Sequence, residues 1–330
     1  MMTILNDEND TLRYSWDKYS YNQLDTYLVS DVEDPRINCQ SILSRALIAD
    51  SLWPNHFTNL IEADIRFGAV MTWLLGELRK GYDRHELLRS IETDMGHTCP
   101  TFVRETYNWL QSAEFPISDY ISLALYNVNL DKPEQLLFDK AVETFSQTWR
   151  LALRGCVKKN IRLLEVACGS ANDYRFIDQY GLSEFVNYTG IDISEKNITN
   201  AKARFPQTDF RIASIIDSGI PDESVDYLFV HDLFEHLSAH ALKRAMSEIL
   251  RVVRHQAWLH FFNVKRCSDH IIRPVDRYHW NTLSLDRLCQ MIDDLGSMFE
   301  IVPISDFLGN KFRGYSHYNG GAFTILVTKN

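Results

Sequence analysis

Apolar residues recur at spacings of three and four between residues 41 and 153, a pattern that predicts amphipathic helices. The clearest stretches run from Ile42 to Leu52 and from Leu60 to Leu78. Further helical patterns cover residues 85–92, 100–111, 117–126 and 131–154. The longest apolar run, residues 68–75, is far too short to span a bilayer and is flanked by charged residues, so we expect a buried helix there.

The pattern changes abruptly after residue 160, where short apolar segments predict β-strands. These segments cover residues 162–166, 187–192, 210–213, 225–230, 257–262 and 322–327. Helical patterns at 195–205 and 239–253 separate some of them. Strands that alternate with helices at this spacing predict an α/β fold, a doubly wound and mostly parallel sheet behind an N-terminal all-helical extension.

The segment from Leu163 to Asp173 follows the first predicted strand and is rich in small residues. Small residues let the backbone approach a ligand closely, and ligands of open α/β sheets bind beyond the carboxyl ends of the strands. Asp192 ends the next strand, 27 residues after Glu165, where its carboxylate can accept hydrogen bonds from both hydroxyls of a ribose. Dinucleotide dehydrogenases share a glycine-rich turn with a downstream acid, but a single glycine, Gly169, suits a nucleoside better than a pyrophosphate.

Together these two motifs resemble those of the class I S-adenosylmethionine (SAM)-dependent methyltransferases, whose first strand carries acidic-x-G-x-G-x-G. The stretch 221–227 before the fourth strand agrees with the family, and Phe-Glu-His-Leu at 234–237 looks like the Leu-Glu-His-Leu of small-molecule methyltransferases. The resemblance covers about residues 145–330 and implies a Rossmann-like sheet of seven strands. Ala167 and Ala171 replace two glycines of the family, and Ser214 replaces its third-strand acid.

The resemblance also implies which residues bind the cofactor SAM. It places Glu165 near the amino group, Asp192 on the ribose and Ile193 on the adenine ring, whose edge Ser214 and Ile215 would contact. The complete implied set is Glu165, Ala167, Gly169, Asp192, Ile193, Ser214, Ile215 and His231.

The residues that follow the fourth strand are candidates for catalysis. Methyl transfer from a sulfonium is a direct displacement, so the protein must align the acceptor and, for a hydroxyl, receive its proton. His231 ends the fourth strand, where it could contact SAM or act as a general base, and His236 is the second candidate. His260 lies inside an apolar strand and is interpreted as a core histidine, whereas Asn263 at the end of that strand is a better pocket residue.

Asp232, Glu235 and His236 fall at positions i, i+3 and i+4, on one face of a helical turn. Two carboxylates and an imidazole there could hold Mg²⁺ or Mn²⁺. The DxxEH motif looks like the ExxEH of metal-dependent O-methyltransferases, such as those of ubiquinone synthesis and the small-RNA 2′-O-methyltransferases, and this resemblance implies His279 as a fourth ligand. Metal-free relatives also carry Glu-His-Leu here, where it caps the helix and lines the SAM pocket, so both interpretations stay open.

Charge is distributed unevenly along the chain, whose net charge is -10 at pH 7. Residues 1–150 contain 13 Lys and Arg against 23 Asp and Glu, whereas residues 151–330 contain 21 of each. An acidic first half disfavours a nonspecific contact with nucleic acid or anionic membrane, so we expect a neutral or cationic acceptor. The six cysteines form no CxxC pair and the N-terminus resembles no secretion signal, so the cytoplasm is the expected compartment.

We therefore expect two units, a helical cap or dimerisation domain over residues 1–144 and a SAM-binding methyltransferase domain over residues 145–330. The leading function is methyl transfer to a small-molecule acceptor, natural-product or sugar-like, at oxygen. The alternatives are N-methylation of a small metabolite, 2′-O-methylation of an RNA or saccharide, and a noncatalytic SAM-binding interaction protein. A homodimer fits the helical extension, and no membrane partner is expected.

Overall fold

The structure, a computed structural model, describes residues 39–93, 99–112, 146–275, 278–312 and 319–329. The predicted helix at 117–126 lies outside the described residues, and so does the predicted domain boundary at residues 144 and 145.

Four helices form the described N-terminal part, and a helical segment at residues 146–152 follows them. They are α1 (Cys39–Leu52), α2 (Thr58–Arg79), α3 (Arg84–Thr93) and α4 (Thr101–Ser112). The apolar run 68–75 lies inside α2, where Val70 and Trp73 are buried, as predicted. Within the described ranges, every helix is too short or too polar to cross a membrane.

The remaining residues build a seven-stranded sheet with strand order β3-β2-β1-β4-β5-β11-β10. Its strands are β1 (Ile161–Val166), β2 (Val186–Asp192), β3 (Asp209–Ile212), β4 (Val225–Val230), β5 (Val253–Phe261), β10 (Met298–Pro303) and β11 (Phe323–Thr328). Neighbouring strands are parallel except at β11, which runs antiparallel to both β5 and β10. The predicted Rossmann-like, mostly parallel sheet of seven strands is therefore confirmed.

Helices and short strand pairs connect the sheet strands. The helices are α5 (Asn172–Gln179), α6 (Glu195–Arg204), α7 (Ala239–Val252), α8 (Leu285–Asp294) and α9 (Ile304–Lys311). The short strands are β6 (Val264–Lys265), β7 (Pro274–Val275), β8 (Tyr278–His279) and β9 (Leu283–Ser284). Strand β10 was not among the segments that the sequence pattern predicted, because it lies at the edge of the sheet and its side chains remain partly exposed.

Side chains alternate between the two faces of the sheet, and each face carries its own hydrophobic core. Leu163, Phe229 and Trp258 belong to the core that also contains the N-terminal helices. Leu164 and Val230 belong to the core on the opposite face, which contains α7 and α8. The N-terminal helices thus pack on one face of the sheet and share its core.

Two glycines in α2 differ in the space around them, so an added methyl group is expected to have opposite effects on stability at the two positions. A Cβ at Gly76 would have no atom within 4 Å, whereas a Cβ at Gly68 would collide with the buried Ile42 side chain. Because alanine is the better helix former by about 1 kcal/mol, we expect Gly76→Ala to raise the free energy of unfolding by about that amount. We expect Gly68→Ala to lower it by about 1–3 kcal/mol through overpacking. Urea unfolding of both variants tests the pair, and a gain in stability at Gly68 would contradict the packing described here.

Candidate active site

The strand order locates the candidate site. Going along the sheet, β2 and β3 lie on one side of β1, whereas β4 and β5 lie on the other. Ligands of open α/β sheets bind beyond the carboxyl ends of the strands, at the point where the strand order reverses. The segments that follow β1 and β4, residues 167–171 and 231–236, flank this point and contain many of the predicted site residues.

The loop after β1 has three residues in the left-handed conformation that glycine favours, although only one of them is glycine. The φ angle is 57° at Ala167, 52° at Gly169 and 65° at Ala171. A left-handed conformation costs a residue with a Cβ roughly 1–2 kcal/mol. The two alanines therefore keep the backbone geometry of the family motif at the expense of local strain.

Asp192 at the end of β2 holds this loop in place. Its Oδ2 accepts a hydrogen bond from the backbone N–H of Gly169 at 2.9 Å, and its Oδ1 accepts one from the backbone N–H of Ser194 at 2.8 Å. Asn197 donates to Oδ1 at 3.3 Å. Ser194 caps α6 by accepting a hydrogen bond from the backbone N–H of Asn197, which leaves Asp192 to face the loop.

Glu165 lies beneath the loop and is only 3% exposed. Its Oε2 accepts a hydrogen bond from the Tyr188 hydroxyl. Burial raises the pKa of Glu165 well above its usual range, and Asp173 raises it further, whereas the Tyr188 hydrogen bond lowers it. A cationic group bound beside this carboxyl would stabilise its ionised form, and the ammonium of SAM is such a group.

Tyr188 is a site residue that the sequence analysis missed. It lies on β2, two residues before Gly190, which pairs in register with Glu165. A Cβ at Gly190 would lie 2.9 Å from the Tyr188 hydroxyl oxygen and 2.7 Å from Cδ1 of Phe210. The glycine opposite Glu165 therefore makes room for Tyr188, a signal that the strand register carries and the linear sequence does not.

The residues implied to contact adenine lie near the carboxyl ends of β2 and β3. The backbone N–H of Ala213 donates to the carbonyl of Asp192 at 3.0 Å, which brings the two strand ends together. Ser214 accepts a hydrogen bond from the backbone N–H of Ile216 at 3.3 Å. The Ile193 side chain is half-buried, whereas that of Ile215 is only 6% exposed and packs in the sheet core.

The predicted metal ligands are not brought together. Among the described residues, which include Asp232, Glu235, His236 and His279, no three His, Cys, Asp or Glu side chains are grouped to hold a metal ion. Glu235 is fully buried, and its Oε1 accepts hydrogen bonds from the backbone N–H groups of Phe262 at 2.7 Å and Asn263 at 3.0 Å. Oε1 of Glu235 thus fixes the end of β5, and the metal site stays a prediction.

Glu235 makes the stability of the protein depend on pH. Burial raises its pKa from 4.5 to about 7, and the backbone hydrogen bonds only partly offset this. The folded state therefore binds this proton more tightly than the unfolded state, so the stabilisation that Glu235 contributes is complete below pH 4.5 and is lost as the pH rises through 7. Relative to Glu235→Gln, which stays neutral, we expect the wild type to lose about 3 kcal/mol of unfolding free energy across this window. Urea unfolding at pH 4.5 and 7.5 measures it, and a pH-independent difference would contradict the assignment.

His236 is held in one tautomer. Its Nδ1 lies 3.1 Å from the backbone carbonyl oxygen of His279, which can only accept, so Nδ1 carries the proton and Nε2 keeps its lone pair. Burial lowers the pKa of the ring below its usual value, although the hydrogen bond raises it in part. A neutral imidazole with a free lone pair at Nε2 is suited to accept a proton. Phe262, Tyr278 and Trp280 pack around this ring, with centroid separations of 5.5, 5.7 and 5.3 Å.

Asn263, expected from the sequence to be a pocket residue, links the end of β5 to residues 281–282. Its side-chain amide donates to the carbonyl of Asn281 at 2.8 Å and to the Thr282 hydroxyl at 3.0 Å. Asn281 is itself buried and donates to the carbonyl of Leu237 at 2.7 Å. The two amides fasten residues 281–282 over the turn after β4 and so position His279 and Trp280 beside His236.

Helix α1 covers the carboxyl end of β5 and the amino end of the antiparallel strand β11. The side-chain amide of Gln40 donates to the carbonyls of Phe261 at 3.1 Å and Phe323 at 3.0 Å. One turn later, Ser44 lies 2.9 Å from Nε2 of His231 and 2.7 Å from Nε2 of His260. His260 is fully buried with both ring nitrogens hydrogen-bonded, so its interpretation as a satisfied core histidine is confirmed.

Residues 164–261 match a protein family described as a methyltransferase domain. A trans-aconitate 2-methyltransferase from Rhizobium rhizogenes is 32% identical over 80 residues, which are 24% of this chain and 30% of that protein. A probable SAM-dependent methyltransferase from Mycobacterium tuberculosis is 25% identical over 179 residues, 52% of this chain and 60% of that protein. The solved structure of a SAM-dependent methyltransferase from Methanosarcina mazei has a TM-score of 0.41 and 14% identity, covering 54% of this chain and 96% of that chain.

The chain thus spans 30% and 60% of the length of these two curated relatives. The matched family, the sheet order and the loop held by Asp192 agree on one assignment. Residues 164–261 therefore match a methyltransferase domain, and the chain is similar there to proteins named as SAM-dependent methyltransferases.

Proposed function

We propose that the protein transfers a methyl group from SAM to a small-molecule acceptor, at an oxygen. The observation that carries the proposal is the hydrogen bond between Asp192 and the backbone of Gly169, beside the buried Glu165. It assembles a ribose-binding carboxylate, a close-approach loop and a partner for an ammonium at the carboxyl ends of β1 and β2. A nucleoside amino acid such as SAM matches this set of groups.

His236 is the proposed proton acceptor. The acceptor oxygen attacks the methyl carbon of SAM, the S–CH₃ bond breaks as the O–CH₃ bond forms, and S-adenosylhomocysteine leaves as a neutral thioether. The proton of the acceptor hydroxyl moves to Nε2 of His236, whose Nδ1 is held by the His279 carbonyl. The exposed Trp280 beside this ring offers an apolar wall for a small acceptor.

The acceptor class rests on two further observations. The first 150 residues carry ten more acidic than basic side chains, 23 against 13, which disfavours a polyanionic acceptor beneath the helical extension. One relative that matches this chain is named as a methyltransferase of trans-aconitate, a tricarboxylate, which supports the small size of the acceptor and not its charge. Neither observation favours 2′-O-methylation of RNA.

Calorimetry with S-adenosylhomocysteine, followed by turnover assays that detect this product from SAM and a panel of small hydroxyl-containing acceptors, tests the function. We expect micromolar binding of the cofactor product and turnover with at least one acceptor. His236→Gln is expected to lower kcat roughly 100-fold with cofactor affinity unchanged. The absence of binding at millimolar ligand would refute the cofactor assignment, and full activity of His236→Gln would refute the proton acceptor.

A further inference from the structure

Four side chains from four elements form a continuous chain of hydrogen bonds at the carboxyl ends of β4 and β5 and the amino end of β11. Thr324 Oγ1 lies 2.8 Å from Nδ1 of His260, and Nε2 of His260 lies 2.7 Å from Oγ of Ser44. Ser44 Oγ also lies 2.9 Å from Nε2 of His231. Ser44, His260 and Thr324 are buried, and Ser44 comes from helix α1.

His231 ends this chain beside the point where the strand order reverses. Its ring stacks on that of His260, with centroids 4.1 Å apart and an interplanar angle of 14°. Its Nδ1 is buried and has no hydrogen-bond partner in the part of the chain that the structure describes. A buried ring nitrogen without a partner at a ligand-binding crevice marks a place for a ligand atom.

The direction of the hydrogen bonds follows from the number of protons. Among the described residues, His260 is the sole partner of the Thr324 hydroxyl. A buried hydroxyl proton without an acceptor is costly, so Thr324 donates to Nδ1 of His260. Burial lowers the pKa of His260 well below its usual value, so its ring is neutral and carries one proton, at Nε2.

The directions of the other two hydrogen bonds, from His260 to Ser44 and from Ser44 to His231, then follow. Nε2–H of His260 donates to Ser44, and the single hydroxyl proton of Ser44 goes to Nε2 of His231. Because Nε2 of His231 accepts this hydrogen bond, the ring carries its own proton at Nδ1. The opposite direction would leave two unsatisfied groups, the Thr324 proton and the Nδ1 lone pair, instead of one.

We propose that Ser44, His260 and Thr324 are positioning residues that fix His231 as the Nδ1–H tautomer, so that His231 donates a hydrogen bond to a carboxylate or carbonyl oxygen bound in the crevice. The inference rests on the proposed function, which supplies two sources of such an oxygen, the carboxylate of SAM and an oxygen of the methyl acceptor. In this tautomer the proton-accepting nitrogen of His231 is already used by Ser44. His231 is then a binding residue, whereas His236, which is also an Nδ1–H tautomer, keeps its Nε2 lone pair available and is suited to act as a base.

Long-range ¹H–¹⁵N spectra of the full chain labelled with ¹⁵N-histidine distinguish the two tautomers, with and without S-adenosylhomocysteine. The His231 signals are assigned by their loss in His231→Phe. We expect Nδ1–H in the wild type and in Ser44→Thr, which keeps the hydroxyl, and a mixture of tautomers in Ser44→Ala and Thr324→Val. An Nε2–H tautomer in the wild type, or unchanged tautomers in both Ser44→Ala and Thr324→Val, would overturn the proposal.

Calorimetry with two ligands identifies the source of the oxygen. 5′-Methylthioadenosine lacks the amino-acid part of S-adenosylhomocysteine and therefore its carboxylate. If His231 binds that carboxylate, His231→Phe lowers the affinity for S-adenosylhomocysteine by roughly tenfold or more and leaves the affinity for 5′-methylthioadenosine unchanged. If neither affinity changes, the oxygen belongs to the methyl acceptor, whereas equal weakening of both ligands overturns the local contact. Failure of the wild type to bind S-adenosylhomocysteine would refute the proposed function alone, because the tautomer is also measured without ligand.

Discussion

Replacement of Asp192 by alanine is expected to abolish measurable SAM binding. The carboxylate accepts hydrogen bonds from Gly169, Ser194 and Asn197, so its removal frees the loop after β1 and deletes the proposed ribose acceptor at the same time. Hydrogen bonds to a charged group contribute about 1.5–3 kcal/mol each. The loss of two to the ribose alone would weaken binding by a factor of about 10²–10⁴.

The control for this experiment is Asp209→Ala on the neighbouring strand. Asp209 pairs in register with Thr189, which lies three residues before the carboxyl end of β2. Its side chain accepts a hydrogen bond from Arg211. We expect it to leave the affinity for S-adenosylhomocysteine within twofold of the wild type. Asp192→Asn separates binding from folding, because the amide keeps an acceptor for Gly169. Wild-type affinity in a folded Asp192→Ala variant would show that the cofactor lies elsewhere.

The second large effect, on the free energy of unfolding, is expected when the buried ion pair between α1 and α2 is broken. Arg45 and Asp64 lie 3.7 Å apart with side chains 6% and 5% exposed. The Arg45 guanidinium also lies over the rings of Phe176 at 4.9 Å and Tyr180 at 4.8 Å, so it joins the helical part to α5. Burial raises the pKa of Asp64 to about 6, and Arg45 counteracts the increase. Asp64→Ala leaves a buried cation without its partner, and we expect a loss of about 3–5 kcal/mol in the free energy of unfolding.

A neighbouring acidic residue on the same helix provides the control. Glu62 forms ion pairs with Arg66 and Lys311, but its side chain is 23% exposed. Partly solvated pairs of this kind contribute about 1 kcal/mol or less, so Glu62→Ala should be nearly neutral in urea unfolding. Replacing both buried partners, Arg45→Met with Asp64→Leu, should recover most of the stability lost in Asp64→Ala. Equal losses of unfolding free energy in Asp64→Ala and Glu62→Ala would show that burial does not make the Arg45–Asp64 pair more important.

The sheet could be predicted because each central strand has a strong local pattern. Val225–Val230 is an apolar strand buried on both faces, and its predicted bounds agree with the structure. The edge strand β10 lacks that pattern because only part of its surface is covered. Asp192 was identified from its place at a strand end, and its hydrogen bond to Gly169 supports that identification without a bound cofactor.

The site residues that sequence reasoning missed act across long distances in the chain. Ser44 and His260 are 216 residues apart, and no local spacing connects them. At Glu235 the i, i+3, i+4 pattern was present in the sequence, but the pattern carries no sign of the hydrogen bond that the carboxyl accepts from the backbone N–H of Phe262. Spacing determines which side chains share a face, whereas the nearest unpaired backbone group determines where a buried carboxyl goes.

The two hydrogen bonds of Gln40 have a consequence for folding during synthesis on the ribosome. Helix α1 is made early, yet Gln40 donates to the carbonyl of Phe323, 283 residues further along the chain. At a synthesis rate of about 5–20 residues per second, the helix waits roughly 15–60 s for the strand end on which it docks. During that interval the apolar side chains of α1 lack their final partners, so the nascent chain offers a binding surface to chaperones that the finished protein hides.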